Sequence, residues 1–286
     1  MANTNPTTLT AGFLQSLWTE GMLKYAEKQF MLKNLVTDFT SLASGGASVV
    51  KVPLLTEPTV ADAPTDSSAL TFDSGDSAVG TITLDSHPYE ARRIEDIAQA
   101  QASSDLFELY SKSLGYSVAK GVEAEISAVI QATVSGNTDI GLPAGDAMTT
   151  ATLVSGFENM LSNNVDPVAG DLFLCVSSGV YGDLLQEEEF SHALKRGDGM
   201  NPNVSGALGM ILGMPVYIDN NLASTGTANA ECAYIFHRSA VGFAYAIEPR
   251  VQSQYNLEHI AHDVVADCVF GCDALNPNLI QNFDYV

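Results

Sequence analysis

The sequence predicts an α+β fold, and three observations lead to this prediction. Apolar residues recur every four positions from 106 to 130, which is the spacing of a helix with one buried face. From 140 to 225, helix-like and strand-like segments alternate, as in a layer of helices on a sheet. The last third of the chain contains short apolar runs broken by Gly, Pro and Asn, which is typical of buried strands joined by turns.

The composition bounds the size of the core and the character of the surface. With 286 residues, 46% of them hydrophobic, the chain can bury a sizeable core as one large domain or as two lobes. Twelve Lys and Arg face 34 Asp and Glu, so the formal net charge is −22. Phosphate neutralisation needs clustered Lys and Arg, so the bulk surface should not bind nucleic acid. It should instead repel DNA and anionic membranes.

No segment of the sequence predicts a membrane span, a secretory signal or a metal site. The longest apolar run, 207–218, is too short to cross a bilayer and contains Gly and Pro. The first residues lack a signal-peptide pattern, so we expect synthesis into the cytosol. The four cysteines are expected to be reduced and buried, and Cys268 and Cys272 lack the spacing and partners of a zinc site. No cofactor is expected.

The first ninety residues predict an arm, a helix and a long hairpin. Residues 1–11 are rich in Thr, Asn and Pro, and helical spacing follows over 13–36. Two strands are predicted over 49–55 and 79–84. The polar, acidic stretch between them has few apolar side chains to bury within its own subunit. Loops of this length are usually functional or disordered.

The long helix is expected to begin after Ser103, Ser104 and Asp105, which are residues that favour a helix start. Its apolar stripe predicts a rod of about 40 Å at 1.5 Å per residue. Such a rod needs a long partner surface.

The segment that follows predicts an α/β layer. Helices are expected over 152–161 and 181–194, with a buried strand over 172–176 between them. A loop is expected over 195–206.

Four short motifs carry a resemblance to a known family. They are Ile-Glu-Asp at 94–96, Gly-x-Pro-Val at 213–216, His-Arg-Ser-Ala-Val-Gly at 237–242 and Gly-x-x-Ala-Leu-x-Pro at 271–277. In this order they resemble the major capsid proteins of tailed bacteriophages with the HK97-like fold, especially the short-tailed, T7-like branch. This family builds container walls and performs no chemistry on a small substrate.

The resemblance implies an architecture for the chain. It assigns 1–44 to an N-terminal arm and helix, and 45–90 to an extended β-hairpin loop that lies across a neighbouring subunit. It assigns 91–139 and 226–286 to a peripheral domain with a spine helix over 104–134, and 140–225 to an axial domain. The residues expected at subunit interfaces are Pro58, Thr65, Asp66, Asp76, Arg92, Arg93, Arg196 and Asp198.

The resemblance also implies the partners. The chain should assemble with itself into pentamers and hexamers of an icosahedral shell, together with scaffolding, portal and cementing or decoration proteins. The shell should enclose double-stranded DNA without sequence-specific binding and without contact with a membrane. The protein should reside in the virion after assembly in the cytoplasm of the bacterial host.

Two alternatives stay open from the sequence. The first is an encapsulin-like bacterial nanocompartment, which shares the fold. The second is an acidic soluble α/β enzyme, although no Gly-x-Ser-x-Gly, Walker, His-Glu-x-x-His or Gly-x-Gly-x-x-Gly motif is present. His259 and His262 could share a face only in a helix, and their apolar neighbours favour a strand. The Arg-Gly-Asp tripeptide at 196–198 is interpreted as a turn.

Overall fold

The computed structural model describes residues 30–43, 47–55, 77–96, 106–133, 140–142, 147–167, 170–187, 209–222 and 232–285. The helices are α1 (Leu32–Leu35), α2 (Leu106–Ala132), α3 (Thr150–Ser162) and α4 (Ser178–Gln186). The strands are β1 (Thr37–Asp38), β2 (Val49–Leu55), β3 (Ser77–Thr83), β4 (Tyr89–Glu95), β5 (Ile140–Leu142), β6 (Leu172–Val176), β7 (Met210–Ile211), β8 (Met214–Ile218), β9 (Cys232–His237), β10 (Val241–Asn256), β11 (Ala261–Ala274) and β12 (Ile280–Tyr285).

These strands form three sheets. A four-stranded sheet has the order β1-β10-β11-β4, with β1 parallel to β10 and the other pairs antiparallel. A six-stranded sheet has the order β5-β12-β9-β6-β8-β7, and β2 pairs with β3 alone. The fold therefore mixes helices with mostly antiparallel sheets, as the α+β prediction requires.

The long helix expected over 104–134 is observed as α2. Its apolar stripe is fully buried at Leu114, Val118, Val122, Ile126 and Ile130. The helix packs along β11 and also contacts α1 and β4. The long partner surface that the sequence required is thus the four-stranded sheet together with the segment that contains α1. Within the described chain, no helix is long and apolar enough to cross a membrane.

The six-stranded sheet lies between two hydrophobic cores. Tyr234 and Phe236 of β9 point into the core formed by α2 and the four-stranded sheet. Ala233 and Ile235 point into the other core, which contains residues of α3 and α4. Burial on both faces explains why β9 is an unbroken apolar run rather than an alternating one.

This sheet joins strands from both sides of the boundary expected near residue 225. The segment 226–286 was expected to join the peripheral domain as a whole. The structure pairs β9 with β6, and β12 with β9 and β5, inside the six-stranded sheet. The 140–225 segment alone supplies β5, β6, β7 and β8, and β9 and β12 are needed to connect β5 to β6.

Two elements of the α/β segment differ in their bounds from the prediction. Helix α4 begins at Ser178, three residues before the predicted start, because Asn220 Oδ1 accepts a hydrogen bond from the Ser178 amide at 3.1 Å. It ends at Gln186, because Glu187 is extended, and residues 188–194 of the predicted helix and the 195–206 loop lie outside the described residues. Within the predicted apolar run, residues 210–218 fold back as the β7–β8 hairpin, because Leu212 and Gly213 have φ values of 50° and 83°.

The N-terminal prediction is only partly covered by the described residues. The arm and most of the helix expected over 13–36 lie outside them. From residue 30 onward, the chain forms the single turn α1 and becomes extended at Val36. It then adds β1 to the edge of β10, with Thr37 opposite Gly242, so the helical spacing ends one residue earlier than predicted.

Strands β2 and β3 form the predicted hairpin base. They pair antiparallel from Val49 opposite Thr83 to Leu55 opposite Ser77. Val50, Val52 and Ile82 are buried in a small core with residues of β10 and of the segment after β11. Residues 56–76, which would join the two strands, lie outside the described residues.

Candidate assembly surfaces

The base of the hairpin is seated on the four-stranded sheet through glycines. A Cβ atom on Gly271 would overlap the carbonyl oxygen of Thr83 and lie 2.7 Å from its carbonyl carbon. A Cβ on Gly242 would lie 2.7 Å from Ile82 and 2.8 Å from Leu275 side-chain atoms. The absence of a side chain therefore lets β3 cross β11 in backbone contact. This is the structural role of the glycine and leucine in the 271–277 motif.

The 237–242 motif ties together separate parts of the subunit. His237 Nδ1 accepts a hydrogen bond from the Ser239 amide at 3.2 Å and so caps a short 3₁₀ turn. Arg238 donates to the carbonyl oxygen of Asn34 at 3.3 Å, and its guanidinium lies 5.9 Å from the centre of the Phe173 ring. The carbonyl oxygen of Ala240 accepts from the Leu275 amide at 2.8 Å. The His237 ring thus acts as a structural cap of this turn.

One face of the four-stranded sheet carries paired charges. Arg93 donates from Nε and Nη2 to the two carboxylate oxygens of Asp263, at 2.6 and 3.0 Å. Arg250 donates to Asp267 from Nε at 3.1 Å and from Nη2 at 3.0 Å. His87 Nε2 lies 3.2 Å from the same Asp267 carboxylate. Arg250, Asp263, Asp267 and His87 line an open groove of about 570 Å³, called the arginine groove below, and Arg93 reaches its edge through the bond to Asp263. Its further lining residues include Tyr89, Gln252, Gln254 and Val265.

The arginines keep the two groove carboxylates ionised. Hydrogen bonds from Arg93 and then from Asn256 lower the pKa of Asp263 to about 2. Hydrogen bonding from Arg250 is the main cause of the lowered pKa of Asp267. Each pair adds stability above the ordinary carboxyl pKa and loses it as the pH falls through the lowered value. Because both arginines are largely exposed, solvent screening keeps this contribution small.

The structure places the two predicted arginines of β4 on opposite faces of the strand. Arg93 lies opposite Asp263, which lines the arginine groove, and so is on the same face of the sheet as the groove. Arg92 lies opposite Val264 and pairs with Glu90 at 2.9 Å on the other face. Only one of the two therefore contributes to the groove. The other predicted interface residues, Pro58, Thr65, Asp66, Asp76, Arg196 and Asp198, lie outside the described residues.

The turn between β10 and β11, residues 257–260, is called the hairpin tip below. Leu257 and Ile260 are 82% and 63% exposed, and Ile260 has a φ of 47°, which is uncommon for a β-branched residue. Side-chain contacts fix the strands on both sides. Tyr255 donates to Asp96 at 3.0 Å, and Asn256 donates to Asp263 at 3.0 Å. The hairpin tip therefore exposes apolar side chains, and hydrogen bonds hold the two strand ends that carry it.

The two histidines considered for a metal site do not lie on a helix. His259 is in the hairpin tip, and His262 is on β11, where its ring packs 4.9 Å from that of Tyr255. The described residues bring together no group of three or more His, Cys, Asp or Glu side chains that could hold a metal. The segment is therefore a strand, a turn and a strand.

Sequence reasoning missed the partners that complete the arginine groove. Polar residues alternate along β10 at Arg250, Gln252 and Gln254, while Asp263 and Asp267 on β11 are four positions apart with Val265 between them. The period of two predicts a polar face on β10, and the even spacing places both aspartates on one face of β11, so the pattern could have revealed the surface. The pairing of Arg93 with Asp263 could not be read from the sequence, because it joins residues 170 positions apart.

Comparison with known proteins connects this architecture to a family. Residues 89–280, more than half of the chain, match the family model of a phage capsid protein. None of the curated proteins matches the chain.

Solved structures show the same fold. A structure of Mycobacterium phage Che8 superposes with a TM-score of 0.74 at 21% identity, covering 89% of this chain and 90% of that one. The capsid structure of cyanophage P-SCSP1u gives a TM-score of 0.72 at 16% identity, covering 90% and 88%. A virus-like particle from Pyrococcus furiosus gives 0.60 at 12% identity, covering 94% and 98%.

The family match and the architecture agree. The hairpin base, the long helix and the two sheets belong to a fold that is shared with capsids over about nine-tenths of the chain. The chain therefore belongs to the phage capsid protein family and has the HK97-like capsid fold.

Proposed function

We propose that the chain is the major head protein of a tailed bacteriophage and assembles into pentamers and hexamers of an icosahedral shell around double-stranded DNA. Rings of this kind form through head-to-tail contacts in which two different surfaces of the subunit meet. Each contact can be of ordinary size, because many contacts add up around a closed shell.

The exposure of large apolar side chains carries this proposal. Leu257 and Ile260 are exposed at the hairpin tip, and Tyr89 is exposed at the start of β4 beside the arginine groove. Val79 is exposed on β3 and Met210 on β7. Single exposed apolar residues are normal on protein surfaces, but Leu257 and Ile260 lie on one four-residue turn, and exposed apolar surface concentrated in this way is typical of a site that contacts another copy.

The arginine groove is a candidate seat for the extended loop of a neighbouring copy. The loop residues 56–76 include Glu57, Asp62, Asp66, Asp73 and Asp76 and contain no Lys or Arg. The groove offers the guanidinium groups of Arg93 and Arg250, which are each about half exposed. Because Asp263 and Asp267 pair with these arginines, the groove has no net positive charge from them, and a loop carboxylate would have to share the exposed guanidinium N–H groups with them. In this proposal Arg93 contacts the neighbouring loop directly. Arg92 lies on the opposite face of β4 and would contact a different part of a neighbouring copy.

The net charge of −22 supports a passive role toward the enclosed genome. A wall with excess carboxylates lets DNA slide during packing rather than bind to it. We propose that assembly takes place in the host cytoplasm with scaffolding and portal proteins, and that a cementing protein binds the finished shell. The family match favours this function over an encapsulin-like compartment.

Assembly tests the proposal directly. The full chain, expressed alone or with its scaffolding protein, is expected to form rings, shells or aberrant particles well above a megadalton. Light scattering coupled to size-exclusion chromatography gives the mass, and negative-stain microscopy gives the shape. A compact monomer at every salt concentration would contradict the proposal. Particles that carry a specific enzyme as cargo would support the encapsulin-like alternative instead.

The shell is expected to be held together without covalent links between subunits. Some relatives of this fold join a loop lysine to an asparagine of a neighbour, but here the stretch from 54 to 89 contains no Lys. The nearest, Lys51, lies on β2 at the base of the hairpin. Mature particles boiled in detergent should therefore run as single chains of 30.3 kDa on a gel. A ladder of covalent multimers would contradict this expectation.

A further inference from the structure

Glu123 is a carboxyl group buried in the middle of the long helix α2. Glu123 is only 3% exposed, and its neighbours on the helix, Val122 and Ile126, are fully buried apolar residues. Its two oxygens accept hydrogen bonds from backbone amides of α1, at 2.7 Å from Leu32 and 3.1 Å from Lys33. These partners are about 90 positions away in the chain, so the contact is a tertiary anchor rather than a local cap.

The anchored segment, residues 30–43, is called the strap below. Beyond Glu123, it is held by the pairing of β1 with the edge of β10 and by the Arg238 hydrogen bond to Asn34. The Lys33 ammonium lies 4.7 Å from the centre of the Tyr245 ring, and 5.1 Å from that of Phe30. The strap thus crosses from α2 to the four-stranded sheet, and its α1 end is held by Leu32 and Leu35 in the core and by the polar contact with Glu123 of α2.

The charged and titratable groups around Glu123 come from four elements. Asp219 follows β8, Cys175 lies on β6, Tyr245 lies on β10 and Lys33 lies on α1. Burial is the main cause that raises the pKa of Glu123 to about 7, and Asp219 raises it further, while the strap amides oppose both effects. The Lys33 ammonium lies over the aromatic rings of Phe30, Phe243 and Tyr245.

We propose that Glu123 is the positioning residue that anchors the strap to α2, and that this anchor weakens when the carboxyl group ionises. A buried carboxylate loses hydration that two amide hydrogen bonds replace only in part. Releasing the strap exposes the carboxylate to water and restores its hydration.

The direction of the pH effect follows from linkage. Glu123 holds its proton more tightly when the strap is docked than it would as a hydrated carboxyl group, whose ordinary pKa is 4.5. Stabilisation of the docked strap is therefore fully present below 4.5 and is lost as the pH rises through about 7. Within this window the docking equilibrium should fall by up to roughly tenfold per pH unit.

Hydrogen exchange on the full chain tests the proposal. Peptides covering the strap are compared with a peptide from the buried strand β9 between pH 5.5 and 8, after correction for intrinsic exchange rates. The variants are Glu123→Gln, which cannot ionise, and Glu125→Gln, which removes the same charge from an exposed position of the same helix. The exchange of strap and β9 peptides can be measured on unassembled subunits of the wild type and of both variants. The outcome for Glu123 is therefore independent of whether the chain forms shells.

The expected result separates the two variants. Wild type and Glu125→Gln should lose strap protection as the pH rises toward 8, while protection in β9 stays constant. Glu123→Gln should show strap protection that does not change with pH. Equal pH dependence in Glu123→Gln and wild type, or constant strap protection in the wild type, would overturn the proposal.

Discussion

Replacing residues 56–76 by a short Gly-Ser turn is expected to abolish shell assembly and to leave the subunit folded. The strands on both sides end at Leu55 and Ser77, and their apolar contacts with the sheet come from Val50, Val52 and Ile82 near the base. The deleted stretch is rich in Pro, Ser, Thr and Asp, and its large apolar residues are limited to Val60, Leu70 and Phe72. In the proposed assembly, the same stretch supplies the contact with the neighbouring arginine groove.

Two measurements separate folding from assembly in this variant. Thermal unfolding followed by circular dichroism should show a cooperative transition close to that of the wild-type subunit. Sedimentation should show small species only, under conditions in which the wild type forms particles. An unfolded variant would show that residues 56–76 belong to the core of their own subunit. Normal shells would show that the loop is dispensable for assembly.

The sequence was sufficient to predict those elements whose pattern is local. The stripe of α2 and the uninterrupted apolar strand 172–176 both follow from the chemistry of burial on one or two faces. The hairpin base over 49–55 was also predicted, because its β-branched residues are bounded by turn residues. These elements are determined by neighbours within about ten residues.

The remaining features depend on contacts between distant parts of the chain. The assignment of β9 to the six-stranded sheet depends on β6 and β12, and nothing in its own apolar sequence distinguishes this sheet from the other. Similarly, Glu123 looks like any polar residue beside a helical stripe until the amides of the strap are placed against it. The sequence analysis named Arg93 among the residues expected at an interface, but it did not name Asp263, which pairs with Arg93 in the structure.

The second large effect is expected from a single added methyl group at Gly271. In the variant Gly271→Ala, the new Cβ would overlap the Thr83 carbonyl group, and a backbone group cannot move aside as a side chain can. Overpacking of this kind typically costs about 1–3 kcal/mol. The end of β3 must then move away from β11, and the small core around Ile82 and Leu275 opens with it. Both the free energy of unfolding and the position of the hairpin should change.

The matched control for Gly271→Ala is Gly182→Ala on helix α4, where an added Cβ meets no atom within 4 Å. Alanine is the better helix former by about 1 kcal/mol, so this control should be as stable as the wild type or more stable. Urea unfolding should place the midpoint of Gly271→Ala below those of both the wild type and the control. Because the displaced hairpin no longer directs residues 56–76 toward a neighbour, only Gly271→Ala should also fail to form shells. Wild-type stability together with normal shells in Gly271→Ala would show that β3 does not need its close approach to β11.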